Sequence, residues 1–270
     1  MGTGGRVAVV SAHSASGVSI LTVPRITDNA ICLRRWDYSE TSQTVSLLTL
    51  EHGLLRGLAK GSKRSDSRFS GGFDPLTLGQ ATMILKVGKD LATLTEWHLS
   101  EVYWAARQHL VANRAGIYMV DLAHRMLKEQ DPHPEVFYAL DSALRGCVQP
   151  DRIGIETLIF QWRLMDSCGY RLELHRDAGT GDPVDESQEV FRFSPLQGGI
   201  IETTQSGDAV KVRRETIHLL RAISEGDFVS AASDLEGVPR ANRLLAVCFR
   251  SLLGEAPEAM QWAFRELRPG

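Results

Sequence analysis

The segment from Asp28 to Leu78 reads DNAICLRRWDYSETSQTVSLLTLEHGLLRGLAKGSKRSDSRFSGGFDPLTL. Short runs of Ile, Val, Leu, Thr and aromatic residues alternate with breaks at Asp37-Tyr38-Ser39, His52-Gly53 and Lys60-Gly61. That rhythm is the signature of short strands joined by turns. It begins near Ile26 and continues through "PLTLGQATMILKVGKDLATLTEWHL" to Ser100. About five strands in roughly 75 residues is the size of a small, partly open β-barrel, for which an OB-fold is one solution. An SH3-like barrel fits the same pattern.

Inside this segment, Lys60 to Leu76 gathers Lys60, Lys63, Arg64 and Arg68 around a single acid, Asp66, and then runs into Phe69, Gly71-Gly72 and Phe73. Arg34 and Arg35 stand in the first strand beside Trp36 and Tyr38, and Arg56 precedes the loop. The whole chain carries a formal charge of −3 and a pI near 6.3. A uniformly basic coat is therefore excluded, and any anion site must be a local patch. Cations beside aromatics in a Gly/Ser-rich loop suit a polyanion whose phosphates meet charge and whose bases stack. On that reading Lys60, Lys63, Arg64 and Arg68 meet phosphates, and Phe69 or Trp36 offers a face on which bases stack. The competing reading is a solvated hairpin loop whose aromatics turn inward.

After Ser100 the period lengthens. Val111, Ala115, Tyr118, Leu122 and Met126 recur as the buried stripe of a helix. Two further helices follow prolines, one with Phe137, Leu140, Leu144 and Cys147 on a face, the other with Ile155, Leu158, Trp162 and Met165 and a stop at Gly169. Between Tyr170 and Val212 the period dissolves into Gly, Asp and Ser, apart from strand-like islands at Val190–Phe193 and Gly199–Thr203. Helical pattern then returns in "RETIHLLRAISEGDF", "NRLLAVCFRSLLG" and "EAMQWAFREL". The expected organisation is α+β: a disordered leader (1–25), a barrel (26–100), and an α-helical domain (101–270) with a small inserted loop-and-strand subdomain at 174–212.

Enzyme motifs fail in context. The Gly-rich pieces "MGTGGR" and "GTGDP" neither follow a strand nor open a helix, and there is no G-x-x-x-x-G-K-[ST], G-x-S-x-G or H-E-x-x-H. His98, His109, His124, His133, His175 and His218 have no ligand spacing. Asp182, Asp185, Glu186 and Glu189 read as a solvated loop. Cys32, Cys147, Cys168 and Cys248 form no C-x-x-C pair, so reduced thiols in a cytoplasm are the simpler account. No run approaches the roughly 20 apolar residues that span a bilayer. The expectation is a non-enzyme without catalytic residues, cofactor or metal.

Several stretches resemble the family of the bacterial recombination protein RecO. "LRRWDYSET", "LLTLEHG", "AKGSKR" and "SRFSGGFDP" are similar to its opening segment, and "FQWRLMDSCGY" and "FSPLQGG" to the two sides of its metal-binding insert. The resemblance implies an N-terminal OB-fold, a helical domain and an insert that in many members holds a four-cysteine zinc site. Here "HRDAGTG" and "IIETTQSG" stand where cysteine pairs would be, so no zinc is expected. The implied function is a cytoplasmic, nucleoid-associated mediator that binds single- and double-stranded DNA, anneals complementary strands and helps load RecA at gaps; on that implication Arg34, Arg35, Lys60, Lys63, Arg64 and Arg68 contact the DNA, with Trp36, Tyr38 and Phe69 as stacking surfaces. Its implied partners are RecR, the C-terminal tail of the single-stranded-DNA-binding protein and, indirectly, RecA. An acidic, Phe-ending tail calls for an apolar pocket rimmed by cations, and Arg107, Arg114, Arg125, Lys128 and Arg163 are available. A protein-binding scaffold without DNA contact and an OB-fold RNA-binding factor are the alternatives.

Overall fold

The computed structural model describes residues 25–85, 91–202, 207–234 and 236–264. The expected leader lies outside them except for Arg25, which opens the first strand. The N-terminal half is built from β1 (Arg25–Asp37), β2 (Gln43–Thr49), β3 (Gly53–Ala59), β4 (Phe69–Ser70), β5 (Thr77–Ile84) and β6 (Ala92–Val102). β1 is long enough, at 13 residues, to serve two neighbours. Its first part pairs with β5, Ala30 to Cys32 pair on both sides, and after a register shift at Cys32/Arg34 the remainder pairs with β2 alone. Such an irregularity bends a strand and re-aims it, which lets β1 turn a barrel corner.

β2 pairs with β3, β5 pairs with β6, and a parallel pairing of Gly57–Ala59 with Ala92–Leu94 closes the ring. The order β1-β2-β3-β6-β5, returning to β1, is that of the OB-fold and settles the choice against the SH3-like alternative.

The runs "AICL" and "SLLTL" are apolar on both faces because both faces are buried. Ala30, Cys32, Val45, Leu47 and Leu55 fill the barrel with Trp97 and Met83. Ile31, Leu33, Leu48 and Leu54 point the other way into the helical core with Tyr118 and Leu122. Register agrees, since Ile31 pairs with Leu48 and Leu48 with Leu54, while Cys32 pairs with Leu47 and Leu47 with Leu55. Gly53 turns the β2–β3 hairpin at φ 71°, and a Cβ there would lie 2.2 Å from the carbonyl oxygen of Asp131. Only glycine meets both demands.

The helical half comprises α1 (Ala105–Gln108), α2 (Leu110–Met126), α3 (Pro134–Gly146), α4 (Ile153–Ser167), α5 (Arg214–Glu225), α6 (Phe228–Ser233), α7 (Gly237–Leu253) and α8 (Glu258–Ala263). The buried faces of α3 and α4 contain the residues that periodicity selects. Gly169 ends α4 at φ 81°, with Tyr170 N–H donating to the Met165 carbonyl. The stripe of α2 begins later than expected: Val111 is 65% exposed, and Ala115, Tyr118 and Leu122 are buried. Val111 sits in the first turn of α2, on the open side of the helix packing.

The insert contains β7 (Val190–Ser194), β8 (Gly199–Ile200) and β9 (Val210–Arg213), in the order β8-β7-β9. β9 and the short α6 were not apparent from periodicity, since each is too brief to show one. Thr203 lies outside the described residues. Phe191, Phe193 and Ile200 join the helical core, so hydrophobic burial anchors the insert to the rest of the chain.

Candidate nucleic-acid interface

The basic loop leaves β3 at Lys60 and returns at β4. Its departure is tied to the β1–β2 turn: Lys63 N–H donates to the Thr41 carbonyl at 3.1 Å, and Gly61 N–H donates to Ser42 Oγ at 3.1 Å. Its return is tied to the barrel, because Phe69 and Ser70 pair in parallel with Trp97 and His98 of β6. Phe69 and Phe73 pack at a tilt with ring centroids 5.4 Å apart, and Phe73 meets Trp97 at 5.3 Å. The aromatics hold the returning end of the loop, while Lys60, Arg64 and Arg68 before it are exposed.

Phe69 therefore needs correction. It is 7% exposed inside the barrel core and has no free face for a base. Tyr38, on the turn beside the loop, is 63% exposed. Trp36 is 38% exposed and leans on His124, with ring centroids 5.8 Å apart.

The six cations have different surroundings. Lys60 and Arg64 are exposed and make no ion pair among the described residues. Arg68 is 80% exposed on its side chain, with Glu96 at 4.0 Å. Lys63 binds Asp37 at 2.7 Å, and that ammonium holds the Asp37 carboxyl below the usual range. Arg35 binds Asp74 at 2.9 Å and donates to the Phe73 carbonyl at 3.0 Å. Arg34 is bound at the barrel–helix junction, 2.6 Å from the buried carboxylate of Asp121. Arg125 takes the other oxygen of Asp121 at 3.1 Å and reaches Glu255 at 2.9 Å.

Asp121 is the residue that periodicity overlooked. A signal existed: it is an acid inside the apolar run "YMVDLAHRM", three residues after Tyr118 on the inward side of α2. An acid on a buried stripe requires a cationic partner from elsewhere in the chain. Next to it, His124 exchanges a hydrogen bond with Ser46 at 3.0 Å, and burial pushes its pKa down to about 4.

A second feature lies in the helical half. A cavity of about 460 Å³ opens between α2, α4, α7 and α8, lined by Val111, Ile153, Pro239 and Trp262 with Arg114 and Arg243 among its walls. Beneath it, Tyr118 donates to Gln161 at 2.8 Å, Gln161 to Asn242 at 2.6 Å, and Asn242 to the Gly154 carbonyl at 2.8 Å. This satisfied network keeps the floor of the cavity in one arrangement. Of the cations proposed from sequence to rim such a pocket, Arg114 lines it. Arg107 is turned to Pro75 and Asp74, Arg125 to Asp121, and Arg163 lies over Phe228 at 5.5 Å. Lys128 is exposed just beyond α2.

Two family models match the chain. Recombination protein O N terminal covers residues 23–103, the span of the barrel, and Recombination protein O C terminal covers residues 107–259, the helices with their insert. The chain belongs to the RecO family. It is 30% identical to the DNA repair protein RecO of Geobacter sulfurreducens over 80% of this chain and 88% of that one. It is also 29% identical to the DNA repair protein RecO of Actinobacillus pleuropneumoniae serotype 3, over 88% of this chain and 93% of that protein. Among the described residues, no cluster of three or more His, Cys, Asp or Glu side chains is placed to hold a metal ion. No described helix is long and apolar enough to cross a membrane.

Proposed function

We propose that this RecO-family chain is a non-enzymatic recombination mediator in DNA repair. It binds single- and double-stranded DNA at the loop end of its barrel, anneals complementary strands and helps load RecA at gaps together with RecR. It acts in the bacterial cytoplasm, at the nucleoid. The observation that carries the reading is the basic loop. Lys60, Arg64 and Arg68 face solvent from a loop hydrogen-bonded to the turn that carries Tyr38. Arg35 and Lys63 border them, each shared with a carboxylate that a phosphate can displace.

Annealing asks little more than this. Two phosphate chains repel each other, and a protein surface that neutralises both lowers the repulsion without reading sequence or hydrolysing a nucleotide. The cavity between α2, α4, α7 and α8 is the place we assign to the acidic, Phe-ending tail of the single-stranded-DNA-binding protein. Its apolar walls suit the terminal ring, and Arg114 suits an acid.

The test is fluorescence anisotropy with a labelled single-stranded oligonucleotide at several salt concentrations. The Lys60/Lys63/Arg64/Arg68 quadruple alanine variant loses affinity for unrelated sequences alike, and its salt slope flattens by about 0.7 for each phosphate contact removed. Unchanged affinity in the variant overturns the site. Absence of binding by the unaltered protein, with RecR retained in pull-down, favours the scaffold instead, and tighter binding to RNA at equal length and salt favours an RNA factor.

A further inference from the structure

The insert presents a problem of its own: it has to hold three loops together. Structural zinc sites do this with four nitrogen or sulfur donors, whereas residues 174–212 hold no cysteine and one histidine, His175. At the first loop, where a cysteine pair would stand, the chain has Asp177, which is 3% exposed. Its Oδ1 accepts the N–H groups of Gly179 and Thr180, each at 2.8 Å, closing the turn that follows. Its Oδ2 accepts the N–H of Glu202, just beyond β8 on the second loop. The backbone supports the same junction, with Ala178 N–H donating to the Ile200 carbonyl at 2.7 Å.

The other end is built alike. Asp208 accepts from Ser194 Oγ at 2.7 Å and from Leu196 N–H at 2.9 Å, tying the β7–β8 turn to the segment that leads into β9. A metal does not fit the Asp177 position. Three amide hydrogens converge on its two oxygens, and a field that positive repels a cation and occupies the lone pairs a cation would need.

We propose that the Asp177 carboxylate cross-links the insert in place of a metal, as an anion held by backbone amides from both loops. The positive end of each amide dipole takes the part of the cation, and the carboxylate takes the part of the thiolates. The Asp177 carboxyl is accordingly held below the usual range, chiefly by the Glu202 amide. The insert then needs neither metal supply nor reduced thiols to keep its shape.

Residue-resolved amide exchange on the full chain tests this, together with metal analysis and thermal unfolding with and without a chelator. The unaltered protein carries substoichiometric zinc, and chelator leaves its Tm in place. Asp177→Ala speeds exchange at Gly179, Thr180 and Glu202 by about tenfold or more while amides of α2 keep their rates. Asp177→Asn, which keeps one acceptor oxygen, gives a smaller acceleration at the same amides and serves as the reading if the alanine variant fails to fold. Stoichiometric zinc with a chelator-dependent Tm overturns the proposal, as do unchanged exchange rates in both variants. None of these readouts involves DNA, so the outcome is independent of the proposed function.

Discussion

Arg34 and Arg64 belong to the same basic segment, and the fold uses them in opposite ways. At the barrel–helix junction, Arg34 and Arg125 enclose Asp121, whose side chain is 5% exposed, and with Glu255 on the far side of Arg125 the charges balance. At the loop end, Arg64 stands in water with no carboxylate among the described residues to hold it. One cation is part of the architecture, and the other is available to a ligand. The lesson is that a count of positive charges in a segment overstates its capacity for a polyanion by the number of cations the fold has already paired.

The largest effect that sharpens this contrast comes from the junction. Asp121→Ala leaves two guanidinium groups beside a buried site without their shared partner and lowers unfolding free energy by about 3 kcal/mol, measured by chemical denaturation. Affinity for single-stranded DNA, measured on the variant where it remains folded, stays within about twofold. A variant that keeps its stability would remove Asp121 from the architectural role assigned to it.

The aromatics give a matched pair of intermediate size. Tyr38→Ala leaves stability within about 0.5 kcal/mol but weakens single-strand binding by about 1–2 kcal/mol, the loss of one stacked base. Phe69→Ala does the reverse: it opens the barrel core at a site where Phe truncation costs about 3 kcal/mol, and it affects DNA only through folding. Binding that survives Tyr38→Ala would confine the interface to phosphate contacts.

The smallest effect is a pH dependence at the junction. His124 is held neutral in the folded protein, with its pKa lowered from 6.5 to about 4. Between those values the unfolded chain takes up a proton that the folded chain refuses. Stability therefore falls as pH drops from about 6.5 towards 4 and is fully recovered above that window. With solvent screening the contribution is on the order of 1 kcal/mol, and His124→Gln flattens this part of the stability–pH curve.

Much of the fold is legible in the sequence because periodicity records burial. Ala30, Ile31, Cys32 and Leu33 announce a strand covered on both sides, and Phe137, Leu140, Leu144 and Cys147 announce the face of α3. The basic loop is legible as composition for the same reason that it is exposed: nothing in the core selects against charge there. Less was legible where residues of one type take different positions. Tyr38 and Phe69 both sit beside cations, yet one projects from a turn and the other closes the barrel, and local pattern does not separate them. Of the five cations expected at the cavity, Arg114 alone proved to line it, since the walls come from four helices and the segment after α8.

By itself the amino-acid sequence determined the strand-then-helix order, the family, the lack of cysteine between residues 174 and 212 and the location of the basic loop. These depend on residue type and on spacing within a few turns. Only the tertiary structure decided which cations remain free, because Arg34 meets Asp121 and Arg35 meets Asp74 across long intervals of chain. It also decided what holds the insert, where Asp177 reaches Glu202 through space. A pairing of charges, or of a carboxylate with an amide, is set by distance in the folded molecule, and distance along the chain carries no record of it.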